Sequence, residues 1–286
     1  MIQEIEPRHF YNQYYREAFI DDRDYIICFH ENKILTLADS KHLDFIRYEE
    51  LKAWESRERP AEGCLHFSYL FSEDEQKYFL MQADRAVEVP GFAYQKMFDI
   101  RKCVPKYQVM AAATAWHLYV WYRDNRFCGR CKTKTVEDER ERMLRCPNCA
   151  NTIFPKVAPA VIVGVIDSQS DRILMTKYAN REYQRYALIA GFNEIGETIE
   201  QTVEREVMEE VGLHIKNIRY YKSQPWGFDQ NLLLGFFCEV SGKRDIRMDK
   251  EELSLAEWVR REEIPDYGEN LSLTHEMMQL FKNGKL

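Results

Sequence analysis

The stretch that most constrains the fold runs from Gly191 to Leu213 and reads GFNEIGETIEQTVEREVMEEVGL. Thr198 and Gln201 have the spacing of a capping box, in which each side chain bonds the backbone N–H of the other residue. Gly212 can take the left-handed conformation that ends many helices. These signals predict a helix from about Thr198 to Val211. Its buried face would carry apolar residues four apart: Ile199, Val203, Val207 and Val211.

The other face of this helix carries Glu206, Glu209 and Glu210. Residues three and four apart are neighbours on a helix, so these carboxylates repel one another. They also lie in the last turns, where the helix dipole favours cations. A hard divalent cation such as Mg²⁺ or Mn²⁺ would remove the conflict, because it takes oxygen ligands and binds phosphates at the same time. A solvated acidic face is the simpler alternative, and it would be the better one for a lone pair of glutamates.

Two C-x-x-C pairs precede this stretch and are separated by fourteen residues: Cys128 with Cys131, and Cys146 with Cys149. Four thiolates at this spacing can occupy the corners of a tetrahedron around zinc, with Zn–S distances of about 2.3 Å. Disulfides or redox chemistry are the alternatives, but a reducing compartment disfavours the first and the second needs one pair only. The spacing therefore favours one structural zinc, whose coordination would be closed.

Composition limits the classes of function. The chain has 286 residues, 45% of them hydrophobic, and a net charge of −7. That balance disfavours a broad duplex-binding surface, which needs clustered cations, and leaves room for a small phosphorylated ligand. We expect a cytoplasmic protein without a membrane span, since no segment has the length and apolarity that a span requires. The remaining cysteines, Cys28, Cys64, Cys103 and Cys238, are then expected to be reduced and mostly packed.

Hydrophobic patterns predict an α+β protein. Strands are expected at 25–29, 34–37, 64–67, 78–81, 158–166, 172–176, 186–190, 219–221 and 232–240, with turns at 32–33, 59–60, 72–74 and 167–171. Helices are expected at 48–57, 106–122 and 272–281. The histidines at 30, 66 and 117 are expected to be packed or solvated.

The acidic stretch resembles the Nudix box, G-x5-E-x7-R-E-U-x-E-E-x-G-U, where U is apolar. Every fixed position is present: Gly191, Glu197, Arg205, Glu206, Val207, Glu209, Glu210, Gly212 and Leu213. The resemblance implies an α/β/α sandwich with a mixed sheet and a metal-dependent hydrolase of nucleoside diphosphate derivatives. It also implies that Glu206, Glu209 and Glu210 hold metal and act in catalysis, and that Arg205 pairs with Glu197.

A second resemblance narrows the family. Residues 223–231, SQPWGFDQN, are similar to the S-Q-P-W-P-F-P-x-S signature of NADH pyrophosphatases of the NudC type. That group also carries a four-cysteine zinc ribbon, often opening with R-F-C-G-x-C as at 126–131 here. Gly227 and Asp229 replace two prolines and Asn231 replaces serine, so the preferred dinucleotide is open.

This resemblance implies three domains and a set of further site residues. The domains are an N-terminal α+β domain at 1–124, a zinc ribbon at 125–156 and a Nudix domain at 157–286. Glu252 matches an additional catalytic or metal-binding glutamate, with Glu251 as the fallback. The expected substrate-binding residues are Ala190 through its carbonyl, the aromatic pair Phe192 and Trp226, and Gln224, Pro225, Phe228, Gln230 and Asn231. Flat rings on this connection could stack on a base or a nicotinamide.

The expected reaction is hydrolysis of NADH or NAD⁺ to AMP and nicotinamide mononucleotide, by a homodimer with structural zinc and catalytic Mg²⁺ or Mn²⁺. Removal of an NAD cap from RNA 5′ ends uses the same bond and remains an alternative, supported by a local basic patch at Arg126, Arg130, Lys132 and Lys134. Another nucleoside diphosphate derivative as substrate is also open. A nucleotide sensor that binds nucleic acid is disfavoured, because such proteins usually lose box glutamates.

Overall fold

The structure is a computed structural model, and it describes residues 1–39, 41–58, 66–83, 85–180, 185–268 and 270–286. The chain forms two compact units. The N-terminal unit comprises Gln3–Lys156 and Gly227–Gln230, and the C-terminal unit comprises Met1–Ile2, Val157–Trp226 and Asn231–Leu286. The division into three domains stays a prediction.

The N-terminal unit contains a mixed sheet, three helices and a small separate sheet. Its strands are β1 (Phe10–Tyr11), β2 (Tyr25–His30), β3 (Lys33–Leu37), β4 (Ile46–Arg47), β5 (His66–Glu73), β6 (Gln76–Gln82), β7 (Phe92–Lys96), β8 (Val136–Glu137), β9 (Leu144–Arg145) and β10 (Thr152–Ile153). Its helices are α1 (Tyr48–Glu58), α2 (Met97–Ile100) and α3 (Lys106–Asp124). Gly227–Asp229 forms one 3-10 turn.

The larger sheet has the order β1-β5-β6-β2-β3-β7, with β4 paired to β2. The predictions for β2, β3, β6, α1 and α3 are confirmed. The turn predicted at residues 72–74 was wrong in part, because β5 continues through Glu73 and the left-handed residue is Asp74. Strand β7 was missed. The predicted strand at 64–67 begins outside the described residues, and the predicted turn at 59–60 lies entirely outside them.

The small sheet, β10-β9-β8, carries the cysteine pairs and packs within the N-terminal unit through polar contacts. Arg142 donates to the carbonyl of Leu70 at 2.6 Å. Ser68 donates to Glu137, also at 2.6 Å. A three-stranded sheet of two-residue strands has almost no core of its own, so these contacts and a bound metal must supply its stability.

The C-terminal unit is built on a second mixed sheet. Its strands are β11 (Ala158–Asp167), β12 (Arg172–Tyr178), β13 (Ile189–Phe192), β14 (His214–Trp226), β15 (Asn231–Ser241) and β16 (Leu253–Arg260). Their order is β14-β15-β11-β12-β16, with β13 also paired to β11. β11 is parallel to β15 and antiparallel to β12 and β13. Helices α4 (Ile199–Val211) and α5 (Leu273–Lys282) complete the unit.

The two faces of this sheet carry separate apolar cores, because side chains alternate along a strand. On β11, Val161, Val163 and Val165 join the core that includes α4. Ile162 and Ile166 join the core that includes α5. One helix therefore packs on each face, which confirms the α/β/α sandwich with a mixed sheet.

Helix α4 begins and ends where the sequence predicts. Thr198 and Gln201 form the capping box, and Gly212 has a φ of 68°. Val203, Val207 and Val211 are fully buried. Burial contributes about 1.5–3 kcal/mol for each such side chain, whereas a repulsive pair at this spacing costs only a few tenths. The valine stripe therefore holds the helix despite its acidic face.

Three details of the C-terminal unit differ from the predictions. The strand expected at 186–190 is displaced, since Ala187 forms only an isolated bridge and β13 begins at Ile189. Strand β14 is far longer than the three residues predicted, and β16 was missed.

Among the described residues, no helix is both long and apolar enough to cross a bilayer.

Glu73 is a fully buried carboxyl in the N-terminal unit. It accepts a hydrogen bond from the Tyr78 hydroxyl at 3.0 Å. Burial raises the pKa of Glu73 from 4.5 to about 7, although the Tyr78 hydrogen bond opposes the shift. The folded state therefore holds this proton more tightly than the unfolded chain.

We expect stability to fall as pH rises from about 4.5 to about 7, because the unfolded chain then releases a proton that the folded unit retains. Glu73→Gln should remove this dependence and raise the free energy of unfolding at pH 8 by on the order of 2 kcal/mol. Calorimetric unfolding at pH 5 and pH 8 measures it. Glu75→Gln, at an exposed neighbour, is the control. Identical pH dependence in both variants would refute the assignment.

Candidate active site

Arg205 donates hydrogen bonds to three glutamates of the C-terminal unit. Its Nε and Nη2 bond both oxygens of Glu197, at 2.7 and 3.0 Å. Its Nη1 donates to Glu206 at 2.7 Å and to Glu209 at 2.9 Å. The second Nη2 bond goes to the carbonyl of Phe192 at 2.9 Å. All five donors of the guanidinium are thus used, and the predicted Arg205–Glu197 pair is confirmed.

Glu197 is itself held in place by two further donors. Thr202 donates to its Oε2 at 2.9 Å, and the backbone N–H of Glu194 does so at 3.2 Å. The hydrogen bonds from Arg205 lower the pKa of Glu197 to about 2, and the same contact raises the pKa of Arg205. Both groups are therefore charged across the ordinary pH range.

The carboxylate of Glu206 lies directly over the backbone of Gly191. A Cβ at Gly191 would fall 1.9 Å from Cδ of Glu206 and 2.0 Å from its Oε1. Only glycine allows this approach. Burial raises the pKa of Glu206, Arg205 lowers it, and the nearby charges of Glu209 and Glu252 raise it again.

The other acidic residues approach the same region from different elements. Glu210 is buried, and its Oε1 accepts from the backbone N–H of Ala190 at 3.4 Å. Ala190 thus contacts a carboxylate through its N–H, whereas the sequence singled out its carbonyl. Glu252 lies in the turn before β16, and its own carbonyl accepts from Ala179 at 2.8 Å. Its side chain is exposed, and its charge reaches Glu206.

The donor set of this cluster fits a hard divalent cation. The four carboxylates of Glu197, Glu206, Glu209 and Glu210 against the one guanidinium of Arg205 leave a formal charge of −3. All side-chain ligands on offer are oxygens, which magnesium and manganese prefer. Among the described residues, the carboxylate oxygens are gathered less closely than the thiols of the cysteine cluster.

The four cysteines form a separate metal centre in the N-terminal unit. The sulfur atoms of these cysteines all lie within 4.8 Å of one another: Cys128, Cys131, Cys146 and Cys149. In the described ranges, no other group of three or more His, Cys, Asp or Glu side chains is this close. Each pair is followed by a left-handed residue, Lys132 or Ala150. The N–H of each donates back to the first cysteine of its pair, at 2.8 and 3.0 Å. These matching turns bring four sulfurs together as structural zinc requires.

The residues expected to select the substrate are divided between strand and connection. Ser223–Trp226 belong to β14 and Asn231 to β15, so only Gly227–Gln230 link the strands. Pro225 lies in an edge strand, where a missing N–H is tolerated. Phe192 is 55% exposed and can stack on a ligand, whereas Trp226 is 8% exposed.

Gln224 has a role in the fold. It is fully buried and donates to the carbonyl of Leu271 at 2.6 Å. Its Oε1 accepts from the N–H of Leu273 at 2.7 Å, which fixes the start of α5. Substrate contact by Gln224, and by Pro225, Gln230 and Asn231, stays a prediction.

The connection Gly227–Gln230 packs against α3 and explains two departures from the signature. A Cβ at Gly227 would fall 2.2 Å from the carbonyl oxygen of Ala113. Trp116 donates from Nε1 to the carbonyl of Phe228 at 3.3 Å. Asp229 lies 3.8 Å from a guanidinium nitrogen of Arg101, which balances the negative charge that aspartate introduces in place of proline. Arg101 and Trp116 were missed because no local pattern marks a partner so distant in the chain.

Fold and site together define a Nudix protein with a zinc ribbon. The NUDIX domain model matches residues 156–280, and the NADH pyrophosphatase zinc ribbon domain model matches residues 123–154. The chain is 32% identical over 204 residues to the NAD-capped RNA hydrolase NudC of Pseudomonas aeruginosa, covering 71% of this chain and 72% of the relative. This chain belongs to the Nudix hydrolases, in the NudC-type group with an NADH pyrophosphatase zinc ribbon.

Two further comparisons each cover part of the chain. The NAD-capped RNA hydrolase NudC of Pectobacterium atrosepticum is 40% identical over 145 residues, 51% of this chain and 55% of that protein. A Nudix hydrolase structure from Nitrosomonas europaea matches 56% of this chain and 92% of its own, with 23% identity and a TM-score of 0.47.

Gly191→Ala should displace the Glu206 carboxylate, since its Cβ would overlap that group. We expect kcat for metal-dependent hydrolysis to fall by about 10²-fold, as misplacement by roughly 1 Å can cause. Gly129→Ala is the matched control, because its Cβ would meet nothing within 4 Å. Steady-state kinetics and a thermal melt compare the two. Unchanged kcat in Gly191→Ala would contradict a fixed Glu206.

Proposed function

We propose that this protein is an NAD(H) diphosphatase that hydrolyses the pyrophosphate bond to AMP and nicotinamide mononucleotide. The observation that carries the proposal is that Arg205 joins three of the four box carboxylates, while the fourth, Glu210, meets the backbone of Ala190, in a chain that also has the four-cysteine cluster. The similarity to relatives named NAD-capped RNA hydrolase supports the same bond as the target.

Glu206, Glu209 and Glu210 would hold the catalytic ion, with Glu252 as an additional carboxylate, and we assign Mg²⁺ or Mn²⁺ on ligand chemistry. When bound, such an ion neutralises phosphate oxygens and lowers the pKa of a coordinated water. Hydrolysis adds one water across the P–O–P linkage, so that one phosphoryl group gains the water oxygen and the other leaves as a phosphate monoester. The zinc ribbon has a structural role, since four thiolates leave no open position.

The protein positions its reacting groups through Arg205. The guanidinium fixes two of the proposed ligands, Glu206 and Glu209, and ties them to the Phe192 carbonyl on β13. The backbone of Phe192 is thereby held beside the carboxylate cluster, and its exposed ring can stack on a base or a nicotinamide. Positioning of this kind supplies much of the rate enhancement in phosphoryl chemistry.

Removal of the NAD cap from RNA is the second candidate, because the relatives that this chain matches carry that name. The proposal also includes a homodimer in the cytoplasm. Exposed apolar side chains on the zinc ribbon support self-association, among them Phe127, Val136 and Phe154.

Glu206→Gln and Glu210→Gln should each lower kcat for NADH by at least about 10²-fold, or ~2.7 kcal/mol, because each removes a charge that the ion requires. Glu204→Gln is the control, since Glu204 is exposed on the same helix at a variable position of the box. Initial rates at saturating Mg²⁺ or Mn²⁺ measure the effect. Near-normal turnover in either box variant would exclude the carboxylate site.

A substrate panel separates the candidates: NADH, NAD⁺, ADP-ribose, diadenosine polyphosphates and NAD-capped RNA, each with Mg²⁺ and Mn²⁺. We expect the nicotinamide dinucleotides to exceed ADP-ribose and the diadenosine compounds in kcat/KM. Capped RNA, if preferred, should show a steeper loss of kcat/KM with salt, because more phosphates are contacted. Equal kcat/KM for the whole panel would refute selection for nicotinamide.

A further inference from the structure

A cavity of about 440 Å³ lies within the N-terminal unit, beside the turn between β2 and β3. Its volume falls in the range of small-molecule sites. The lining combines three cations with three aromatic rings: Lys33, Lys96 and Arg101, and Phe98, Trp116 and Phe228. All of these residues belong to the N-terminal unit, and the proposed hydrolase site uses none of the cations.

The two lysines break a local rule of sheet stability. Lys33 on β3 and Lys96 on β7 are direct partners in the antiparallel register. Like charges placed opposite each other destabilise a sheet. Throughout the described parts of the chain, neither lysine has a carboxylate within 4.0 Å. An anion bound between the two lysines would replace their repulsion by attraction. Violations of a local stability rule are expected at functional sites.

The aromatic wall is ordered by contacts of its own. The Arg101 guanidinium lies 4.8 Å from the ring centroid of Phe228 and 5.4 Å from that of Phe98. Trp116 is anchored by its bond to the carbonyl of Phe228. Phe98 is 46% exposed, so its ring is open to a ligand. Flat rings held in this way can stack on a planar heterocycle.

The charges within the cavity are distributed unevenly. Asp229 is paired with Arg101, so these two largely neutralise each other. Glu31, on the turn, is exposed to solvent. Lys33 and Lys96 against Glu31 leave one net positive charge beside the aromatic wall. An anion with an attached aromatic ring satisfies both parts of this lining, whereas an acidic peptide would use the lysines alone.

We propose that this cavity is a second nucleotide site, in which Lys33 and Lys96 bind a phosphate and the exposed ring of Phe98 stacks on the base, with Trp116 as part of the buried wall behind it. The ligand chemistry is a ribonucleoside monophosphate, either free or as the 5′ nucleotide of a single-stranded RNA. Phe228 and Asp229 line the cavity and also belong to the connection between β14 and β15. A bound nucleotide therefore restrains that connection.

Photolabelling of the full-length, zinc-loaded protein with 8-azido-AMP tests this site independently of hydrolysis. We expect label in the peptide that contains Phe98 or Trp116, competed by AMP at least tenfold better than by adenosine or ribose 5-phosphate. A ten-nucleotide RNA with a 5′ phosphate is the second competitor. Stronger competition by RNA than by AMP identifies the RNA end as the source, and equal competition identifies the free nucleotide.

The double variant Lys33→Ala/Lys96→Ala should weaken AMP binding at this peptide at least tenfold, or about 1.4 kcal/mol. Its thermal stability should stay equal or rise, because a repulsive pair is removed. The exposed lysines in Lys41→Ala/Lys243→Ala provide the control. Label confined to the C-terminal unit, no label, or equal affinity in the two double variants would overturn the proposal. None of these outcomes depends on NAD(H) turnover, so the diphosphatase proposal is judged separately.

Discussion

The hydrogen-bond fork of Arg205 is the interaction on which the proposed catalytic site depends. One guanidinium joins three carboxylates and the Phe192 carbonyl, and thus fixes α4 relative to β13. Without it, glutamates at adjacent helix positions would repel each other at the wrong end of the helix dipole. Gly191 is the steric counterpart, because any side chain there would occupy the place of the Glu206 carboxylate. The Glu206 carboxylate is thus held both by the charge of Arg205 and by the space that Gly191 leaves.

The connection that we propose to select the substrate belongs to a different unit from the box carboxylates. The strands that flank Gly227–Gln230 belong to the C-terminal unit, but these four residues belong to the N-terminal unit. Their contacts are with α3 and Arg101, and the departures at Gly227 and Asp229 suit those contacts. A change in α3 can therefore alter the connection without altering any box carboxylate. We propose that α3 and Arg101 influence substrate selection through this connection.

Local signals carried most of the correct predictions. Helix α4 follows from its caps and valine stripe, and the cysteine cluster follows from two short spacings. Long elements with one strong period, such as α3, α5 and β11, were also predicted within a few residues. Strands β7, β14 and β16 were missed or truncated because they mix polar and apolar residues, and the partners of β7 and β16 lie far away in the chain. The same limit applies to Gln224, whose amide bonds Leu271 and Leu273 in a segment far away in the chain.

The sequence by itself determined the family, the zinc ligands and the set of box carboxylates, because each is encoded by residue type at fixed short spacing. Only the tertiary structure decided how Arg205 divides its donors, why residue 227 is glycine, and which cation meets Asp229. It also placed Lys33 opposite Lys96, a pairing between strands that are separated by most of a domain. These features depend on contacts between distant segments, which hydrophobic pattern and spacing do not specify.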